Sequence, residues 1–265
     1  MAEIPLYQAV NIGVVVLLPA AMLTAALILR NDKASPSPSP HSFPSSFDTW
    51  AAAFIVLVMT AMCVFGALQQ NMPSEKESWL SLTVSQVFTI LLFSPAIIRV
   101  ATRPRVSSPC THRAAWFFGG LFGGYSFIVL YSLSGLPEWL AAATHTPMEQ
   151  AIVTVFGQSS PAQQILIALT AVIAAPLLEE IFFRGYLYPV LKRFIGVWPA
   201  MIGVSLFFGM VHMSLVQCLP LAMFGFILNL AYENTGRLSL PIAMHAAFNT
   251  VGIALIYAFP HMKQV

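Results

Sequence analysis

The chain predicts an all-α, polytopic membrane bundle of about eight transmembrane helices, and three observations carry that expectation. Of 265 residues, 58% are hydrophobic and only 8% are charged, against roughly 25% charged in a soluble domain. Apolar runs of about 20 residues, the length a helix needs to cross the hydrocarbon, recur along the chain. The basic residues fall almost entirely in alternate gaps between those runs, as the positive-inside rule requires of a multi-pass protein.

The elements follow in order. The first run covers 9–29. Met1-Ala2-Glu3-Ile4-Pro5 lacks a basic leader, and no small-residue cleavage site follows, so a retained span is expected. A Pro/Ser-rich loop occupies 31–48, densest from Ser35 to Ser46. Further spans are predicted at 50–69, 79–99 and 115–136. The mixed segment from Pro137 to Gln164 holds Trp139, Leu140, Ile152, Val153 and Phe156, the makings of an interfacial amphipathic helix or of a loop. Four more spans follow at 163–188, 198–213, 217–233 and 239–259, the first of them long and the second short. Residues 1–265 thus read as a single transmembrane domain.

Arg30, Lys33, Arg99, Arg103, Arg105, Arg113, Lys192, Arg193 and Arg237 all fall on one side of this arrangement; only Lys76 and Lys263 fall on the other. Both termini are therefore expected outside, and Glu179 and Glu180 toward the cytoplasmic half of the fifth span. Gly119, Gly120, Gly123 and Gly124 form two overlapping GxxxG patterns in the fourth span, which let helices approach closely; packing within the chain is the expectation over a dimer interface. The formal net charge of +2 points to no particular partner, and basic residues do not cluster with aromatics, so no nucleic acid is expected. Cys63, Cys110 and Cys218 are scattered, with neither a disulfide framework nor CxxC spacing.

Against this apolar background stands Glu179-Glu180-Ile181-Phe182-Phe183-Arg184. Ionisable groups at membrane depth cost several kcal/mol unless paired or hydrated. Glu180 and Arg184 are four apart, share a helix face and are placed to pair. Glu179 points about 100° away and lacks that partner. A carboxylate in a poorly solvated pocket can act as a general base near neutral pH, so Glu179 is assigned the chemical role and Glu180–Arg184 the supporting one. Pro176, three residues earlier, frees a backbone carbonyl in the preceding turn. An ion pair that merely fixes helix packing is the plain alternative.

His212 closes the sixth span, and His245 is followed one turn later by Asn249, with Ala246 and Ala247 leaving room beside them. His and Asn side chains can donate hydrogen bonds to a developing oxyanion; an interhelical polar clamp is the alternative. Taken together, Glu179, His212, His245 and Asn249 supply a base, imidazoles and oxyanion donors from three spans, the parts needed for water to attack a carbonyl. His41, His112, His145 and His261 fall in loops or at the tail and are expected to be solvated; Glu233 reads as a helix-end carboxylate.

At these residues the chain resembles the CAAX-protease and bacteriocin-processing (ABI) family of intramembrane proteins. Glu179-Glu180-Ile181-Phe182-Phe183-Arg184 is similar to its EExxxR motif, Phe208-Gly209-Met210-Val211-His212 to FxxxH and His245-Ala246-Ala247-Phe248-Asn249 to HxxxN. The resemblance covers roughly residues 163–255, the expected catalytic core. It implies an eight-helix bundle whose cavity opens to cytosol and lipid. It further implies that Glu179 activates water with help from His212, that His245 and Asn249 hold the oxyanion, and that Glu180 and Arg184 support the site. A metal-free mechanism without cofactor is favoured. Glu179, His212 and His245 nonetheless compose a His₂Glu set of the kind that binds zinc with a water in the fourth position, although no HExxH spacing is present.

The expected partners are a peptide or protein substrate, with or without a prenyl chain, and membrane lipid. The short loops suggest a prokaryotic cell membrane. Two other classes stay open: a non-catalytic scaffold or bacteriocin-immunity protein, and a transporter using the same groups as a proton relay. The two halves show no duplication of the motifs, which a repeat-built transporter would carry.

Overall fold

The computed structural model describes residues 111–132, 159–212 and 214–258, together with positions 94, 97, 98, 100, 101 and 156. The expected spans at 9–29 and 50–69, nearly all of 79–99, the Pro/Ser-rich loop and most of the mixed segment lie outside these residues. Among the described residues there are helices and no strands.

Four helices are long and apolar enough to cross a membrane. They are α1 (His112–Ser132), α2 (Pro161–Ile195), α4 (Leu215–Thr235) and α5 (Ser239–Ala258). A fifth, α3 (Val197–Met210), has 14 residues and reaches about 21 Å at 1.5 Å per residue, short of the ~30 Å hydrocarbon. The short sixth run was legible as such. The fifth was under-read: α2 spans 35 residues and continues past 188 to Ile195, because the Lys192-Arg193 pair that ended the hydropathy run does not end the helix. Glu179 and Glu180 consequently stand near the middle of α2 rather than toward one end.

Gly196 and Gly236 make the sharp stops. At φ +83° and +64° they occupy backbone conformations that side chains with a Cβ resist. Gly236 is the left-handed residue that ends α4, its N–H donating to the Tyr232 carbonyl at 2.7 Å. At the other end of the bundle, Pro161 begins α2, and Gln163 Oε1 accepts from the Ser160 N–H at 2.8 Å.

Two contacts fix the helix order in space. Lys192 and Tyr188 on α2 both engage Glu233 near the end of α4, the tyrosine donating at 2.8 Å. Arg237, between α4 and α5, meets His112 Nε2 at 2.9 Å. The start of α1, the end of α2, the end of α4 and the start of α5 therefore lie together, and consecutive helices run antiparallel. Arg113, Lys192, Arg193 and Arg237 gather at that one end, as the alternation of basic residues anticipated. His112, expected in a loop and solvated, is exposed but begins α1, where its Nε2 meets Arg237.

The core is aromatic. Phe182, Phe183, Tyr186, Tyr188, Phe207, Phe208 and Phe224 are buried between α2, α3 and α4. Full burial of such a side chain is worth about 1.5–3 kcal/mol against water; between membrane helices close packing matters more than water exclusion. The glycines of α1 serve that packing. A Cβ at Gly119 would strike Ala243, and one at Gly123 would strike the Met244 backbone, whereas one at Gly120 would meet nothing within 4 Å among the described residues. The Gly119/Gly123 pair thus seats α5 on α1 within the chain.

Candidate active site

Construction begins with the backbone of α2, which carries two π-helical turns, Thr170–Ala174 and Phe183–Leu187. Each precedes a proline. In the first, the Ala175 N–H donates to the Thr170 carbonyl, so the Ala171 carbonyl loses its usual α-helical donor. The next position along is Pro176, which has no N–H. Asn249 on α5 supplies what is missing: its Nδ2 donates to the Ala171 carbonyl at 2.7 Å. The carbonyl freed near Pro176 is therefore a docking point for the Asn249 side chain. The second turn repeats the arithmetic at Arg184 and Pro189, the Tyr188 N–H donating to Phe183. Such π turns recur at functional sites because they re-aim side chains within a helix.

Between the two π turns lie the glutamates. Glu180 and Arg184 are both fully buried, and Arg184 Nη1 donates to Glu180 Oε1 at 2.8 Å. The same oxygen lies 2.9 Å from His245 Nδ1. A carboxylate held by a guanidinium has no proton to give, so the imidazole donates through Nδ1. That leaves His245 Nε2 directed at Glu179, whose Oε2 is 4.0 Å away. Glu179 retains 26% exposure of its side chain, but Oε2 itself is buried and has no hydrogen-bond partner among the described residues, as is the case for Glu180 Oε2. Neither oxygen is taken up by a described protein group, so each is available as an acceptor.

Each guanidinium nitrogen of Arg184 donates one hydrogen bond. Beyond Glu180, Nε donates to Asn229 Oδ1 at 3.2 Å and Nη2 to the Gly225 carbonyl at 2.8 Å. Its Cζ stacks 4.7 Å from the Phe208 ring centroid. Phe208 is a common wall: its ring lies 5.0 Å from that of His212 and 5.6 Å from that of His245. Phe224 closes the other side of His245 at 5.8 Å.

The expected site residues are thus placed unequally. Glu179, Glu180, Arg184 and His245 form one polar centre. Asn249 sits a turn beyond His245 on α5 and is held by Ala171. His212, at the turn after α3, makes no hydrogen bond to Glu179; its Nδ1 lies 2.7 Å from the Phe208 carbonyl, which leaves Nε2 for other work. Among the described residues no three His, Cys, Asp or Glu side chains stand close enough to hold a metal ion, so Glu179, His212 and His245 are not drawn together as a ligand set. Asn229 and Ser205 were missed by sequence reasoning. Their signal was present: Gly225 and Asn229 are four apart in an apolar run, as are Met201 and Ser205, and each pair shares a face.

These features define a class: a polytopic helical membrane protein with a buried Glu–Arg–His centre beside an unpaired carboxylate. Within that class, residues 161–251 match the family model described as Type II CAAX prenyl endopeptidase Rce1-like. The match runs from the first residue of α2 into α5 and contains every residue of the centre, so the resemblance carried by the three motifs holds for this segment. The chain is 33% identical over 119 residues to an Escherichia coli protein named "Uncharacterized 24.3 kDa protein", covering 43% of this chain and 55% of that one. It is 32% identical over 128 residues to "Putative membrane peptidase YdiL" of Bacillus subtilis (strain 168), covering 47% and 50% respectively. The chain therefore spans about half the length of the curated relatives it matches. No solved structure matches it.

Proposed function

We propose that this protein is an intramembrane endopeptidase resembling CAAX prenyl proteases. It hydrolyses a peptide bond near the C-terminus of a protein or peptide, prenylated or not, using water activated by Glu179. One observation carries the reading: Glu179 Oε2 is buried, has no hydrogen-bond partner among the described residues and lies 4.0 Å from His245 Nε2. That separation is too long for a direct bond and short enough for one water, with contacts of about 2.8 Å to each group, to span it.

The chemistry follows from those atoms. Glu179 takes a proton from the water, whose oxygen bonds to the scissile carbonyl carbon. Negative charge moves to the carbonyl oxygen, where N–H donors hold it: His245 through Nε2 when protonated, and the second N–H of Asn249 Nδ2, the first being fixed on Ala171. Glu179 then passes its proton to the leaving amine as the C–N bond breaks. His212 assists from across the Phe208 ring. Glu180 and Arg184 hold His245 by its Nδ1–H, whether or not Nε2 carries a proton. No step requires a metal ion.

We further read the basic end of the bundle as cytoplasmic and the protein as one of a prokaryotic cell membrane, with its site open toward that side. The test is cleavage of a C-terminal reporter peptide in proteoliposomes by wild type, Glu179→Ala and His212→Ala. Loss of cleavage in both variants is the expected result. Equal turnover in all three would sink the proposal and favour a non-catalytic scaffold.

A further inference from the structure

We infer that Asn229 is a positioning residue for this site. It sets the plane of the Arg184 guanidinium and, through Glu180, the tautomer and orientation of His245. The inference rests on the hydrolase reading for its kinetic arm only.

Asn229 lies fully buried on α4, 45 residues from Arg184 in sequence. Its amide has only one orientation compatible with its neighbours. Arg184 Nε can only donate, so the atom 3.2 Å away is Oδ1. The Met201 carbonyl can only accept, so the atom 3.2 Å from it is Nδ2. Nδ2 also donates to Ser205 Oγ at 2.9 Å, and that hydroxyl donates to the Met201 carbonyl at 2.6 Å. α3 thus fixes the amide of α4, and the amide fixes the guanidinium of α2.

From Arg184 the order passes on without a gap. Nε is held by Asn229, Nη2 by the Gly225 carbonyl and Nη1 by Glu180 Oε1. Gly225 permits this approach, since a Cβ there would lie 3.4 Å from Nη2 and 3.1 Å from Phe208. Glu180 Oε1 then receives His245 Nδ1 on α5. Four helices are joined by one buried chain of bonds, and it ends at the imidazole nitrogen facing Glu179. Without Asn229 the guanidinium keeps its Nη1 and Nη2 contacts but loses the third, which stops its plane tilting about the line that joins those two nitrogens; Glu180 is then no longer presented to His245 at one angle. Outer partners that orient a metal-bound imidazole typically change affinity or activity 10–100-fold, and the lower end of that range is the effect expected for an imidazole oriented here through two further side chains.

The experiment uses the full chain in lipid with three variants. Asn229→Leu and the milder Asn229→Ser both remove the acceptor at Arg184 Nε; Asn229→Asp restores one. In whichever of the first two folds, kcat is expected to fall at least about tenfold with KM within about twofold, and Asn229→Asp to recover most of it. The second readout needs no activity: the ¹⁵N imidazole signals of His245, assigned with His245→Gln, report its Nδ1–H tautomer. Wild type is expected to show a single hydrogen-bonded Nδ1–H form, and Asn229→Ser a mixture. An unchanged His245 spectrum in Asn229→Ser or Asn229→Leu overturns the inference. If wild type cleaves no peptide, the hydrolase reading falls while the imidazole spectra still decide this one.

Discussion

Glu180 Oε1 accepts from two helices at once: from Arg184 Nη1 on its own helix at 2.8 Å and from His245 Nδ1 on α5 at 2.9 Å. A single carboxylate oxygen thereby neutralises a buried guanidinium and selects the imidazole tautomer. The adjacent pair of glutamates is divided by this bond. Glu180 is committed to structure through Oε1, although its Oε2 is also unengaged, whereas Glu179, turned away by about 100° on the helix, makes no side-chain hydrogen bond to any described residue.

Removing one member of a buried ion pair leaves the other charge without compensation and typically costs about 3–5 kcal/mol. Arg184→Leu should therefore lower the thermal midpoint of the detergent-solubilised protein sharply and reduce its yield. A midpoint equal to that of wild type would show that the pair does not hold the bundle.

Glu179→Gln should separate chemistry from stability. The side chain keeps its shape and loses no hydrogen bond, so the melting midpoint should stay close to wild type. A general base contributes typically 10²–10⁴-fold, and turnover of the reporter peptide should fall by that factor. Full biological complementation by this variant would support the scaffold reading instead.

Pro176 and Asn249 should be energetically coupled. Asn249→Ala strands the Ala171 carbonyl and should destabilise by about 1–3 kcal/mol. Pro176→Ala returns an N–H to the helix and should make Asn249 partly dispensable. A double-mutant cycle in detergent melts should give a coupling of the order of 0.5–3 kcal/mol; strict additivity would disprove the pairing.

The glycines of α1 should differ in tolerance by face. Gly123→Ala places a Cβ against the Met244 carbonyl and should cost about 1–3 kcal/mol through overpacking. Gly120→Ala meets nothing within 4 Å and should be neutral or stabilising by up to about 1 kcal/mol. Equal melts would place the α1–α5 contact elsewhere.

Metal dependence is open to direct test. Cleavage is expected to survive a strong chelator in protein shown by elemental analysis to be metal-free. Activity lost on chelation and restored by zinc alone would require a different mechanism.

Hydropathy located α1, α3, α4 and α5 to within a few residues, because spanning length and apolarity are local properties. It cut α2 short, because Lys192 ends an apolar run but not a helix: it reaches Glu233 and lies over the Tyr188 ring. Spacing alone paired Glu180 with Arg184, an i,i+4 contact within one helix. It could not pair Glu180 with His245, or Arg184 with Asn229, since those bonds join helices whose relative rotation is set by packing. The carbonyl freed by Pro176 was legible from the missing N–H, but that Asn249 would occupy it was not.

What the sequence by itself determined is the class of protein, the helices and the identity of the polar residues within them, for these depend on composition and on spacing along one helix. Tertiary structure alone decided the division of labour: which carboxylate is bound, which imidazole nitrogen faces it, and that an asparagine on α4 completes the guanidinium's shell. The physical reason is that hydrogen bonds act over about 3 Å, and only packed helices bring residues 45 or 65 positions apart within that reach.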